Sequence, residues 1–206
     1  RIGHGGTLDP NVTGVLPIAI GNATRLLSYL PGEKTYIGTI KLGQSTTTDD
    51  SQGEVLFRRS VIDIDKSFLE KSLSKFRGVI EQRPPYFSSV HINGRRSHQL
   101  ARKGEFVDLP KKKVNIFDCR LLKWDPILEE LEIYVRCSAG TYIRSIARDL
   151  GEMLNCGGCL GKLRRTKALG FSEVQAVPLP ERERFEFQVK PRLLPVKESL
   201  LHLPQI

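Results

Sequence analysis

Three short segments carry side chains whose types and spacing suit chemistry. Gly5-Gly6-Thr7-Leu8-Asp9-Pro10 sets one carboxylate in a glycine-flexed loop and fixes the backbone after it with proline. Gly140-Thr141-Tyr142-Ile143-Arg144 opens an amphipathic stretch and places a guanidinium near its start. Leu163-Arg164-Arg165, flanked by Lys162 and Lys167, gathers positive charge on a strand-like segment. A carboxylate can serve as nucleophile or base, a guanidinium can hold a carboxylate in a fixed fork, and a basic strand can face a polyanion. Each segment alone also fits a plain structural use. Asp-Pro is common turn chemistry, an arginine one turn into a helix is commonly a solvated charge, and basic strands protect sheet edges.

Other chemistries lack their parts. No GxxxxGK[ST] loop occurs, and Gly3-His4-Gly5-Gly6 lacks the strand-then-helix setting of a dinucleotide site, so no nucleotide cofactor is expected. Neither HExxH nor GxSxG is present. Cys156-Gly-Gly-Cys159 would need two more ligands from Cys119, Cys137 or the scattered histidines to hold zinc. It is read as small thiols in a helix-to-strand turn, and no metal is expected.

The elements that must position these groups follow from hydrophobic pattern and punctuation. Gly14 to Ile20 reads as a short buried strand, and Asn22 as the cap of a helix over residues 23–30 that Pro31-Gly32 stops. Thr35 to Leu42 alternates as a strand with Tyr36, Gly38, Ile40 and Leu42 on one side; a polar loop ending at Gly53 leads to a second strand at Glu54 to Phe57. Asp65 caps a helix with Phe68, Leu69, Leu73 and Phe76 on its apolar stripe, ending at Gly78. After Arg83-Pro84-Pro85, the stretch from Tyr86 to Lys113 has few periodic apolar positions and reads as an exposed excursion. Val114 to Trp124 and Leu131 to Cys137 read as strands around an Asp125-Pro126 turn. Ile143, Ile146, Leu150, Met153 and Leu154 give a helix whose Arg144 and Arg148 share a different face, and Leu160 to Ala168 gives a last strand. Strands joined by long excursions with helices inserted at intervals imply an α+β fold with a mixed, largely antiparallel central sheet.

The composition names a partner class. The chain has 206 residues, 39% hydrophobic and 27% charged, which is globular and sufficient for one packed domain. Thirty-two Lys and Arg against 23 Asp and Glu leave +9, a field that attracts nucleic acid. The longest apolar run, Val15 to Ile20, is interrupted by Pro17 and is far short of the ~18 residues that span a bilayer, so no membrane partner is expected. Few cysteines and no leader segment point to a reducing, cytoplasmic setting, an organellar one remaining open because the chain begins at Arg1 without a leading strand.

Taken together, the motifs resemble the TruB-type tRNA pseudouridine synthases. The likeness runs in order through Gly3-His4-Gly5-Gly6-Thr7-Leu8-Asp9-Pro10, Thr13-Gly14-Val15-Leu16-Pro17, Ala23-Thr24-Arg25 and Lys34-Thr35-Tyr36. It continues through Leu42-Gly43-Gln44-Ser45-Thr46-Thr47-Thr48-Asp49, Arg83-Pro84-Pro85-Tyr86-Phe87-Ser88-Ser89, Gly140-Thr141-Tyr142-Ile143-Arg144 and Leu163-Arg164-Arg165. The resemblance implies the pseudouridine synthase fold and isomerisation of the uridine conventionally numbered 55 in the tRNA T arm. The C1′–N1 bond breaks, the base turns and rejoins through C5, and no cofactor is required. It implies Asp9 as the catalytic aspartate, Arg144 as the residue that pairs with it, and Tyr36 as the group that stacks on the base and accepts the C5 proton. Leu163 would close the apolar side of the pocket, and His4 would fill the space left by the flipped base. Tyr142 and Arg164 would add substrate contacts, and residues 86–113 would form an RNA-gripping thumb with Arg95, Arg96, Arg102 and Lys103 on phosphates.

The implied organisation is a catalytic domain over 1–177, lacking its amino-terminal strand, and a tail over 178–206 leading toward an absent PUA-type domain. A monomer binding a T-arm stem-loop is expected. A guide-RNA-dependent synthase of the dyskerin type shares the Asp and Gly-Thr-Tyr-Ile-Arg elements, but its region after Arg-Pro-Pro is much shorter than Tyr86 to Lys113. A noncatalytic tRNA-binding module would have no use for a carboxylate facing phosphates.

Overall fold

Alternation at Lys34–Leu42 buries Tyr36, Gly38, Ile40 and Leu42 on one face, and the rest of the fold is arranged around that strand. The computed structural model describes residues 1–92, 94–178 and 193–200. In chain order its strands are β1 (Ile2–His4), β2 (Thr13–Gly14), β3 (Ile18–Ile20), β4 (Lys34–Leu42), β5 (Gln44–Thr46), β6 (Val55–Arg58), β7 (Gly78–Gln82), β8 (His91–Ile92), β9 (Arg95–Arg96), β10 (Lys112–Asp125), β11 (Glu130–Cys137), β12 (Gly158–Ala168) and β13 (Phe171–Ser172). The α-helices are α1 (Lys66–Ser74), α2 (Ser97–Ala101), α3 (Ile143–Met153) and α4 (Val196–Ser199). The main sheet runs β13-β12-β4-β11-β10-β7 with every neighbouring pair antiparallel, and β2 joins β12 in parallel. This is the expected α+β fold with a mixed, largely antiparallel sheet.

Two helices close the apolar side of the sheet. The Asp65 carboxylate accepts the Phe68 amide at 2.7 Å, satisfying one of the amides left open at the start of α1. Leu69, Ser72, Leu73 and Phe76 then face inward at i, i+3, i+4 and i+7. Phe68 lies 100° from Leu69 around the helix and is exposed, so the stripe is narrower than its apolar residues imply. In α3, Ile143, Ile146, Ala147 and Leu150 pack on β12 and β4, while Met153 at the carboxyl end is exposed. Arg144 and Arg148 are buried as well, so this helix has no solvated basic face.

Three expected elements differ. Pro17, which has no amide to donate, divides Gly14 to Ile20 into β2 and β3, and among the described residues β3 pairs only with β1, in a separate ribbon that leaves Ile18 and Ile20 exposed. Residues Gly21–Tyr29 form a 3-10 helix whose N-cap position is Ile20, with no side-chain cap, so Asn22 does not start it. The strand after the polar loop, expected over Glu54 to Phe57, is β6 at Val55–Arg58 and pairs with β5.

The excursion after Arg83-Pro84-Pro85 has a small interior of its own. β8 and β9 form a hairpin leading into α2, and Val90, Leu100, Ala101 and Leu109 are buried. The Ser97 hydroxyl donates to the Tyr86 carbonyl, and the Tyr86 ring meets Phe106 edge-on at 5.2 Å. Of the tail expected over 178–206, residues 179–192 and 201–206 lie outside the described residues.

Candidate active site

Asp9 sits in the loop that runs from β1 to β2. The loop is pinned at its two ends, where the Gly5 amide donates to the Pro17 carbonyl at 2.9 Å and the Val15 amide to the Arg165 carbonyl at 2.8 Å. Inside it, the Val12 amide closes a turn on the Asp9 carbonyl at 2.9 Å. Gly14 must adopt φ +108, and a Cβ there would run into the Arg165 backbone, so this loop closes against β12 only with glycine.

Arg144 reaches the loop from the first turn of α3. Its Nε lies 3.0 Å from Asp9 Oδ2; Nη1 donates to the Thr48 carbonyl at 3.1 Å and Nη2 to the Phe87 carbonyl at 3.1 Å. Asp50 Oδ2 lies 3.7 Å from Nη1. The Arg144 side chain is 8% exposed and that of Asp9 44%, so a dry guanidinium holds a carboxylate whose other side is open to what enters. Removing a guanidinium from water is costly, and here the cost is offset because every arm of the fork has an acceptor.

The start of α3 is fixed by a residue that pattern reading missed. Gln82, at the end of β7 and nearly fully buried, accepts the Tyr142 amide at 2.8 Å and donates to the Tyr142 carbonyl at 3.0 Å. Arg148, one turn beyond Arg144, pairs with Asp49 at 2.7 Å and Asp149 at 2.7 Å and donates to the Arg83 carbonyl at 2.9 Å. The Thr47–Asp50 loop and the Arg83–Phe87 segment are therefore both gripped by α3.

Arg165 departs from the expected polyanion-facing edge. It is fully buried, and its guanidinium points back into the Asp9 loop, donating to the carbonyls of Val15 at 2.8 Å, Gly6 at 3.0 Å and Thr7 at 3.3 Å. Strand parity carries the signal that would have found it, since Arg165 shares a face with Leu163 and Arg164 does not. Arg164 is exposed, pairing with Glu173 at 2.8 Å and donating to the Thr13 hydroxyl at 3.3 Å.

Tyr36 stands opposite Arg165 in the β4–β12 register. Burial, helped by the Cys137 sulfur and opposed by Arg165, pushes its phenol up to about 12. Lys34, two residues earlier, has its pKa lowered by burial and then by the Arg165 charge. Leu163 is half-buried against Gly38, where an added Cβ would lie 2.9 Å from Leu163 Cδ1. His4 is exposed, its Nδ1 accepting the Gly6 amide at 3.3 Å. Arg95, Arg96, Arg102 and Lys103 are exposed and, among the described residues, take part in no ion pair.

The structure thus brings Asp9 and Arg144 into contact and sets Tyr36 beside the strand that holds the Asp9 loop, while His4, Arg164 and the thumb cations lie outside that contact. Cys156, in the turn from α3 to β12 where Gly157 takes φ +82, and Cys159, at the start of β12, are free and buried. Among the described residues, no group of three or more His, Cys, Asp or Glu is placed to hold a metal ion.

Comparison with known proteins accounts for this arrangement. The family model described as TruB family pseudouridylate synthase (N terminal domain) matches residues 1–143, and that described as tRNA pseudouridylate synthase B C-terminal domain matches residues 144–200. A protein of Synechococcus sp. (strain WH7803) named tRNA pseudouridine synthase B is 56% identical over 209 residues, covering 100% of this chain and 70% of that protein. One of the same name from Prochlorococcus marinus (strain MIT 9313) is 52% identical over 206 residues, covering 100% and 64%. Among solved structures, a chain of a Cbf5-Nop10-Gar1 complex is similar with TM-score 0.59 at 28% identity, over 82% of this chain and 40% of that one. A chain of an H/ACA RNP bound to a substrate RNA containing 2'-deoxyuridine gives TM-score 0.60 at 26% identity, over 86% and 42%. The chain thus spans 64% and 70% of these two curated relatives and well under half of the two solved chains. With two consecutive family models matched and more than half of its residues identical to such a relative, the chain belongs to the TruB family of pseudouridylate synthases.

Proposed function

We propose that this chain isomerises uridine to pseudouridine in the T arm of tRNA, at the position conventionally numbered 55, acting as a monomer without guide RNA or cofactor in a reducing, cytoplasmic setting. The observation that carries the reading is the 3.0 Å contact between Asp9, open on one side, and Arg144, closed on all. Family membership supports the reaction, and the names of the curated relatives support tRNA as the substrate. The four free, buried cysteines fit the compartment.

The geometry supports the following chemistry. A stacked uridine hides C1′ and C5, so the nucleotide is flipped toward Asp9, with His4 in the vacated space. The Asp9 carboxylate, aimed by Arg144, starts C1′–N1 cleavage by adding to the nucleoside or by taking a ribose proton. The freed base turns between Tyr36 and Leu163 and forms the C1′–C5 bond, expelling the Asp9 carboxylate in the first case and regaining the ribose proton from Asp9 in the second. C5 then loses its proton while N1 gains one, and net composition is unchanged. Tyr36 keeps its own proton at neutral pH, so it handles the C5 proton as a relay, passing one on as it accepts one. Tyr142 and Arg164 add substrate contacts, and Arg95, Arg96, Arg102 and Lys103 meet backbone phosphates.

The test is to incubate a T-arm stem-loop with the chain, without guide RNA, and map pseudouridine. Asp9→Asn abolishes product while RNA binding stays within a few-fold. Product formed by the Asp9→Asn protein refutes the catalytic assignment, and a wild-type chain that isomerises only when guide RNA is added refutes the stand-alone reading.

A further inference from the structure

We propose that Arg165 is a positioning residue of the isomerisation, its buried fork holding the Asp9 loop and the Tyr36 strand in one fixed relation. The proposal rests on the activity inferred above.

Three observations lead to it. First, Arg165 is fully buried, yet among the described residues it has no carboxylate partner within ion-pair distance. A buried cation without a counter-ion is costly and is tolerated when its donors are used fully. Second, its partners are carbonyls on both sides of Asp9 in sequence, Gly6 and Thr7 before it and Val15 after it. Its own backbone carbonyl accepts the Val15 amide at 2.8 Å, so the loop is wrapped around this one residue. Third, the β4–β12 register sets Arg165 directly opposite Tyr36, and the guanidinium is near enough to act on the phenol.

A planar fork with separated donors fixes direction as well as distance. Arg144 orients the Asp9 carboxylate from α3, and Arg165 fixes the backbone that carries Asp9 from β12. Carboxylate and phenol then keep their separation while a base turns between them. An ammonium at this place would retain the charge but could hold only part of the loop.

The experiment is Arg165→Lys, read by circular dichroism, thermal melting, T-arm stem-loop binding and the single-turnover rate at saturating enzyme. The wild-type chain in the same assay tests the functional reading itself, so failure of that reading and failure of this proposal are told apart. Expected for the folded variant is binding within about threefold of wild type and a rate constant lower by roughly 30-fold or more, the scale of a sub-ångström to ångström misplacement. A purely structural role would lower the melting temperature and the active fraction while leaving the rate per folded molecule unchanged, and that result overturns the proposal. Should Arg165→Lys not fold, Gly14→Ala decides. It keeps the Arg165 guanidinium but forces the Gly14 and Arg165 backbones apart, so a rate loss of roughly tenfold with binding retained supports the proposal. A Gly14→Ala protein with wild-type rate refutes it.

Discussion

Replacing Arg144 by lysine separates charge from fork. In the structure the guanidinium serves Asp9, the Thr48 carbonyl and the Phe87 carbonyl at 3.0–3.1 Å, with Asp50 at 3.7 Å. One ammonium can satisfy one or two of these, and if it keeps Asp9 at least one of the two carbonyls loses its donor. A stranded buried acceptor costs about 1–3 kcal/mol, so with one carbonyl stranded a loss of roughly 1–3 kcal/mol is expected. The Asp9 contact adds little to that sum because the carboxylate is 44% exposed and solvent screens it. For a chain of this size the melting temperature should fall by about 2–12 °C. The effect on rate is larger in kind. With Asp9 free to swing, a displacement near 1 Å costs about a hundredfold in the single-turnover rate, while stem-loop affinity changes by a few-fold. The assay is single-turnover pseudouridine formation at saturating enzyme, beside a melt and a binding titration on the same preparation. A lysine variant that melts as expected yet keeps the wild-type rate would refute the claim that the fork aims the carboxylate.

Further outcomes are expected elsewhere. Converting Arg95, Arg96 and Arg102 to alanine should flatten the log-log salt dependence of stem-loop binding by about 2–3 units if each meets a phosphate, and an unchanged slope would assign them to solvent. Gly38→Ala should displace Leu163, whose Cδ1 lies 2.9 Å from the new methyl position, and slow turnover more than it lowers stability, and an unaltered rate would remove Leu163 from the pocket wall. Burial raises Tyr36 to about 12, Cys119 to about 12 and Cys137 to about 11 from ordinary values of 10.0, 9.0 and 9.0. The folded state therefore holds these protons more tightly than the unfolded chain, and stability present below pH 9 should be lost as pH rises through 9 to 12. The slope should approach about 1.4 kcal/mol per pH unit for each group, and Cys119→Ala should make it shallower; a flat urea midpoint across that range would contradict the assignment.

Much of this site was legible because its parts are local. Asp9 and Arg144 each sit in a short motif with distinctive neighbours, and β4 declares its inward face through simple alternation at Tyr36, Gly38, Ile40 and Leu42. Asp65 announces α1 by the chemistry of a cap. What stayed hidden depends on partners far along the chain. Gln82 and Tyr142 are sixty positions apart, and nothing in either segment says that one amide side chain will close both backbone groups of the other. Arg165 shares the charge of its basic neighbours, and only the alternation of the strand sets its buried side chain apart from them. The run from Gly14 to Ile20 has the composition of a core strand, but β3 pairs with β1 in a two-stranded ribbon that leaves Ile18 and Ile20 outside.

The carbonyl of Phe87 has a consequence for how the enzyme uses its grip. That atom belongs to the root of the basic excursion, and it accepts from the same guanidinium that faces Asp9. On the proposed reading, an RNA stem held at the exposed arginines would pull on the segment whose Phe87 carbonyl meets the guanidinium beside Asp9. Contacts made far from the uridine can in this way be converted into alignment at its glycosidic bond, so a shortened stem should lose speed as well as hold.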